Sequence, residues 1–382
     1  MGRILWLKVV VTIAFAIALL MSVPLWLSSR SYPYAPVING LPVIIHPLDW
    51  ILFGCLLFLL IVAFISSRPQ KYIWCFLGII AVLCLYDQTR WQPYIYQYGF
   101  LLATLGLFSW RSGDTAGRTR ALNIARLIVA STYIYSGLQK ANLGFVRGIF
   151  PWLVQPITHI LPSLTTPLYF FGFAAPIMQI AFGVGLLTKR FRRASVLLAV
   201  AMHVFILAMI GPWGLDWNNV VWPWTVAMIF FDLLLFAGGE DFSFRDVFSP
   251  RGSLFHGLVL VLFGIMPLFS FFNLWDSDLS AALYSGNLTE GNIYLSNNGR
   301  NSLPQDLQQY VTQVSPNNNI LSIKSWATGD MDIIEYPETR VFKDIARNVC
   351  SYMADPTQMV LVVQESHMFR NDPQTIYHCS DL

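Results

Sequence analysis

Charge is the scarcest property of this 382-residue chain: Asp, Glu, Lys and Arg together make up 12% of it, about half of what a soluble domain carries. That scarcity excludes a water-exposed surface around most of the chain. Cysteine is also sparse, with five residues and no C-x-x-C pair, which removes the usual redox motif. There is no Gly-rich phosphate loop, no Ser/His/Asp arrangement and no His/Cys/Asp/Glu spacing of a metal site. What the chain has instead is apolar length, 55% of its residues being hydrophobic. Split after Trp275, it falls into two physically different parts. Residues 1–275 hold 18 Lys/Arg against 8 Asp/Glu, and residues 276–382 hold 6 against 13.

A helix crossing a hydrocarbon core needs roughly 20 mostly apolar residues. Nine segments approach this, at 4–27, 48–66, 72–86, 94–110, 123–140, 168–187, 194–211, 218–237 and 254–273. The fold class expected is an all-α polytopic membrane bundle of about nine transmembrane helices over residues 1–275, followed by a small α+β extracytoplasmic domain over 276–382. The first segment has a long apolar run with no small-residue cleavage site promptly after it, and it reads as a retained span. The basic residues sit in short clusters between apolar runs, the pattern of membrane loops rather than of a nucleic-acid surface. Thirteen of them, including Arg111, Arg118, Arg120, Lys189, Arg190, Arg192, Arg193 and Arg251, fall on one face of the expected bundle, against Arg30, Arg90, Lys140 and Arg147 on the other. Because Lys and Arg are retained in the cytoplasm, the N-terminus is expected there and the acidic tail in the periplasm or outside the cell. The membrane is taken as a bacterial inner membrane.

The tail loses the long apolar runs and gains Asn, Asp, Ser and Pro. Helical spacing appears at 304–314 and 337–353, the latter with Phe342, Ile345, Ala346, Val349 and Cys350 on one face. Short strands are expected at 293–295, 320–327 and 359–363. Cys350 and Cys379, the two tail cysteines, are expected to form a structural disulfide on an oxidising side. Asn287-Leu288-Thr289 is a glycosylation sequon only in a eukaryotic setting, and His367 and His378 read as surface side chains.

Ionisable residues inside spans are costly and point to function. Here they are Arg126, Lys140, His203 and Asp232, with Asp49, Asp87, Arg90 and His256 at span ends. Arg126 and Asp232 fall at the same depth, so a buried ion pair between them is one reading and separate snorkelling to headgroups is the other. Asp87 and Arg90, followed by Pro93, read as a salt-bridged hairpin turn. His203 lies mid-span, either as a packing histidine or, if it faces the bundle interior, as a proton partner for Lys140 or a hydrogen-bond donor to a quinone. Lys140 closes the aromatic, small-residue run from Tyr133 to Asn142. A lysine at a helix end is commonly a snorkelling anchor, whereas one shielded from water can act as a base.

Ser136-Gly137-Leu138-Gln139-Lys140, then Gly185 to Arg193, Met202-His203 and the stretch from Trp213 to Trp224 together resemble the HTTM domain. This is the membrane region of vitamin K-dependent gamma-carboxylase and its bacterial relatives, and the resemblance covers about residues 85–237. It implies that Lys140 is the base that takes a proton from a bound quinol at the outer membrane face. Tyr133, Tyr135, Phe150 and Trp152 would then line an apolar groove for the quinone ring. Only 107 residues follow Trp275, so carboxylation of protein glutamates is not expected. The alternative class is a non-catalytic membrane subunit or scaffold that docks other membrane subunits through its spans and its acidic outer tail. In either case the lipid bilayer is a partner and nucleic acid is not.

Overall fold

The computed structural model describes residues 2–38, 40–110, 113–238, 241–250, 253–365 and 374–382. Arg111, Arg251 and His367, named above, lie outside these. In chain order the long helices are α1 (Gly2–Met21), α2 (Leu48–Ile65), α3 (Gln70–Tyr86), α4 (Pro93–Leu107), α5 (Thr115–Gln139), α6 (Thr165–Leu186), α7 (Arg192–Ile210), α8 (Val221–Phe236) and α9 (Leu254–Phe272).

The expectation of about nine transmembrane helices is corrected. Among the described residues five helices are long and apolar enough to cross a membrane: α1, α2, α6 with the turn before it (Pro162–Leu186), α7 and α9. The reason is length and polarity. At 1.5 Å per residue, the 17, 15 and 16 residues of α3, α4 and α8 span only about 22–26 Å, short of the ~30 Å hydrocarbon core. Helix α5 has 25 residues, but Arg118, Arg120, Asn123 and Arg126 make its first half too polar to face lipid. The five apolar helices are consistent with association with a lipid bilayer.

The chain divides into two compact units, the first comprising Met1–Leu20, Gly54–Ile79 and Pro93–Asn287. Its centre is α5, which starts where the Asp114 side chain accepts from the Gly117 amide at 2.7 Å, a charged N-cap. From Ala121 to Gln139 the helix buries 15 residues against its neighbours. Helix α6 packs antiparallel to it through small residues. A methyl group at Gly137 would lie 2.7 Å from Ile180 and 2.9 Å from the Pro176 carbonyl, and one at Gly183 would lie 3.0 Å from Tyr133 and Ile134. Backbones meet this closely only where a side chain is missing. The outward faces stay apolar, with Phe170, Ile177 and Leu197 each about 70% exposed. Asn287 of the sequon is buried and donates to the Gln139 side chain at 2.9 Å, which leaves its amide committed to packing.

The second unit comprises Met21–Phe53, Ile80–Gln92 and Leu288–Leu382. Its sheet has the order β2-β3-β1-β4-β5, with β1 Glu290–Leu295, β2 Val311–Ser315, β3 Asn318–Ser322, β4 Met359–Gln364 and β5 Gln374–His378, antiparallel throughout. Ile293 sits opposite Leu321 on one side and Leu361 on the other, and all three are fully buried. The longer helices that follow β3 are α10 (Ile323–Met331) and α11 (Thr339–Cys350). Phe342, Ile345, Ala346 and Val349 of α11 are buried as their spacing predicts, and Gly291 of β1 leaves room for the Phe342 ring, which an added methyl would meet at 2.7 Å.

Two local expectations in the tail change. The 304–314 stretch is helical only over Gln305–Gln308 before it becomes β2, and the strand expected over 320–327 stops at Ser322. The hydroxyl of Ser322 accepts from the Ser325 amide at 3.2 Å and starts α10, because an N-cap bond satisfies a helix donor that a strand would leave open. Cys350 and Cys379 are bonded as a disulfide. The turn at Asp87 and Arg90 is tightly held. Asp87 accepts from the Thr89 hydroxyl at 2.8 Å and pairs with Arg30, while Arg90 lies 3.8 Å from Asp87 and donates to the carbonyls of Leu83 and Leu25.

Glu335 introduces a pH dependence into this unit. It is 8% exposed, its Oε2 lacks a hydrogen-bond partner among the described residues, and burial pushes its carboxyl up to about 7, opposed by the Lys324 charge and reinforced by Glu290. The buried Tyr32 hydroxyl, also raised by burial and by Glu335, is unpartnered too. The unfolded chain ionises this carboxyl near its ordinary value, while the folded chain keeps the proton until about 7. The stability contributed by this group is therefore greatest at low pH and falls between about 4.5 and 7, by roughly 3 kcal/mol at 1.36 kcal/mol per unit. Glu335→Gln is expected to flatten that decline in thermal unfolding measured from pH 4.5 to 8. An unchanged decline would mean that another group causes it.

Candidate functional site

A cavity of about 450 Å³ lies within the first unit, in the size range of small-molecule sites. Its walls come from α5, α6, α7 and α8 and from the short helical segment that follows α5. Phe145, Phe150, Phe171, Phe182, Met202 and Met228 give it an apolar surface. Phe145 and Phe150 belong to a buried cluster with Val154, which fixes that wall.

Polar groups enter this lining at a few positions. On α5, Tyr133, Ser136 and Lys140 occur at i, i+3 and i+7, so one helix face presents all three, and all three line the cavity. Lys140 is half-buried. Its Nζ donates to the Ser136 hydroxyl at 2.5 Å and to the Ser136 carbonyl at 3.2 Å, so the side chain folds back along its own helix. Among the described residues no carboxylate pairs with it, and an ammonium has three protons to donate. The amine therefore keeps donor capacity beside an apolar recess.

Two turns away on the same face, the Tyr133 hydroxyl donates to Asp232 Oδ2 at 2.7 Å and lies 2.7 Å from His203 Nε2. Phe182 packs edge-on against the Tyr133 ring at 5.1 Å between centroids. Asp232 is fully buried. Arg126 and Asp232 do not meet as an ion pair. Arg126 donates to the Leu235 carbonyl at 3.0 Å and to Asn123 at 2.8 Å, and it stacks on Phe242 at 3.8 Å. Tyr133, two turns along α5 from Arg126, reaches the carboxylate instead, while Arg126 meets the backbone of Leu235 on the next turn of α8.

Of the aromatics expected around a ring, Tyr133 and Phe150 line the cavity. Tyr135 points elsewhere, donating to the Gly264 carbonyl at 2.5 Å beside a much smaller void. Trp152 meets Trp217 edge-on and Tyr284 at a tilt, each with ring centroids 6.0 Å apart. Ser136 and Trp224 belong to the stretches that carry the resemblance but were given no role of their own in the site, although the i, i+4 relation of Ser136 to Lys140 was a usable signal. Thr225 of α8 and Gln179 of α6 carried no signal in the sequence and reach the wall only through tertiary packing. No group of three or more His, Cys, Asp or Glu among the described residues could hold a metal ion. The site can thus bind an apolar body, donate hydrogen bonds from an amine, and exchange protons through a carboxyl, a phenol and an imidazole. No family model, curated protein or solved structure matches the chain.

Proposed function

We propose that this is an integral membrane protein of the HTTM type whose bundle binds an amphiphile, a quinone or a lipid, with Lys140 acting on its polar head as a base. The observation that carries this reading is one cavity holding an unpaired-with-carboxylate lysine at one place and a buried histidine at another, with apolar and aromatic walls between. An anchoring lysine would extend to headgroups; this one is turned back onto Ser136. The residues present suit a quinone: the walls are apolar and aromatic, and an amine lies among them. In its reduced, quinol form such a group would supply acidic hydroxyls, and the chain's own part would be to exclude water, to orient the ring and to take a proton at Nζ.

The orientation we propose keeps the N-terminus cytoplasmic and the sheet-bearing residues outside. Its support is charge placement within the first unit. Arg126 and Arg192 both stack on Phe242, at 3.8 and 3.6 Å, and Lys189 pairs with Asp241, so the basic cluster gathers at the end of α5 remote from Lys140. Lys and Arg mark the cytoplasmic side.

The test is what the purified protein carries. Chain extracted in mild detergent, then denatured and extracted with organic solvent, is expected to release one amphiphile at near one molecule per chain, identified by mass spectrometry. Release of bulk membrane lipids alone, in their bulk proportions, would leave the reading as a scaffold that docks other subunits.

A further inference from the structure

His203 carries an unmet hydrogen bond. It is 6% exposed, its ring forms part of the cavity wall, and Nδ1 is buried without a partner among the described residues. Buried polar atoms in native proteins are satisfied almost without exception, so an orphan in a cavity wall calls for a missing partner. Proton counting says which kind. With Asp232 ionised, the one proton a phenol has to give goes from Tyr133 to Asp232. The phenol oxygen then accepts from His203, which places the imidazole proton on Nε2 and leaves Nδ1 with a lone pair. Nδ1 is therefore an acceptor waiting for a donor.

We propose that His203 Nδ1 is the docking point for a hydroxyl on the ligand, and that Tyr133 and Asp232 are positioning residues that hold the imidazole in the accepting tautomer. The occupant of the cavity is then an amphiphile whose polar head bears two features: an acceptor for the Lys140 amine and a hydroxyl for His203. Head groups that lack a donor, such as ethers and simple esters, are discriminated against. A site built to accept a hydroxyl is left with a bare polar atom when the analogue lacks one. The same chain can move a proton reversibly. As the hydroxyl proton passes to Nδ1, the Nε2 proton passes to the Tyr133 oxygen and the Tyr133 proton to Asp232, so the ligand loses one proton and Asp232 gains it. This assignment rests on the cavity being a ligand site, as proposed above.

The experiment compares two probes of matched shape, para-dodecylphenol and its methyl ether para-dodecylanisole, binding to the full chain in lipid nanodiscs. The wild type is expected to bind the phenol about tenfold more tightly than the ether, as one hydrogen bond in a buried site provides. His203→Phe is expected to bring the ratio to about one while the ether keeps its affinity. Tyr133→Phe keeps the ring but frees the tautomer, and is expected to lower the ratio severalfold with the ether again unchanged; a packing role alone would shift both probes together. Asp232→Leu, of similar size and without an acceptor for the phenol proton, is expected to lower the ratio as Tyr133→Phe does and gives that reading should His203→Phe fail to fold. Equal binding of both probes by the wild type overturns the His203 assignment and leaves the cavity reading standing, Nδ1 then being met by water. No saturable binding of either probe overturns both.

Discussion

Gly137→Val is expected to lower the stability of the bundle by about 3 kcal/mol, the upper part of the range for forcing extra atoms into a packed interior. The argument is geometric. A methyl group at position 137 already falls 2.7 Å from Ile180 and 2.9 Å from the Pro176 backbone carbonyl, and the backbone atom cannot rotate away as a side chain could. Helix α6 must therefore move off α5, and Gly183, whose own close approach to Tyr133 and Ile134 depends on the same crossing, moves with it. Even Gly137→Ala should cost 1 kcal/mol or more, about what one overpacked methyl costs. Gly78→Ala is the control: nothing lies within 4 Å of its added methyl, so it should be neutral or stabilising by up to about 1 kcal/mol from helix propensity. Thermal unfolding in detergent reads all three. A Gly137→Val protein as stable as the wild type would mean that the α5–α6 crossing is wrong, and with it the shape of the cavity that crossing defines.

Lys140→Met is expected to reduce the ligand retained by the purified protein about 10- to 100-fold. The substitution keeps an unbranched side chain of similar length and removes the amine, so what is lost is one charge-assisted hydrogen bond, about 1.5–3 kcal/mol. Ser136→Ala should have a smaller effect of the same sign, because the serine hydroxyl holds Nζ at 2.5 Å and its loss lets the amine wander. Lys140→Arg should fall between, since a planar guanidinium keeps the charge but cannot fold back onto Ser136 in the same way. Retention measured by mass spectrometry on all three variants sets the order. Equal retention across the series would show that the amine plays no part in binding.

Much of this was legible in the residues, and what was not has identifiable causes. Apolar runs located the helices well. Yet hydropathy cannot tell a helix that faces lipid from one that is wrapped by others, which is why α5, with Arg118, Arg120 and Arg126 in its first half and 15 buried residues between Ala121 and Gln139, was counted as a span. The 3.6-residue period of Phe342, Ile345, Ala346 and Val349 identified α11 directly, because one face of that helix is buried and the other is wet. Strand β3 and helix α10 were merged since Ile320, Leu321, Ile323, Trp326 and Ala327 follow one another as one apolar-rich stretch, and the break is made by a single capping hydroxyl on Ser322. At the site, Lys140 and His203 stood out for their charge in apolar surroundings. That Tyr133 joins His203 to Asp232 depends on residues 70 and 99 positions away in sequence, a relation no local pattern encodes.

The most direct measurement is an experimental density map of the chain in lipid nanodiscs, at a resolution that shows side chains. The account predicts a continuous density inside the cavity bounded by Phe150, Phe182 and Met228, with its head within hydrogen-bond reach of Lys140 Nζ. A cavity closed by its own side chains, with Lys140 extended toward phosphate headgroups, would contradict it.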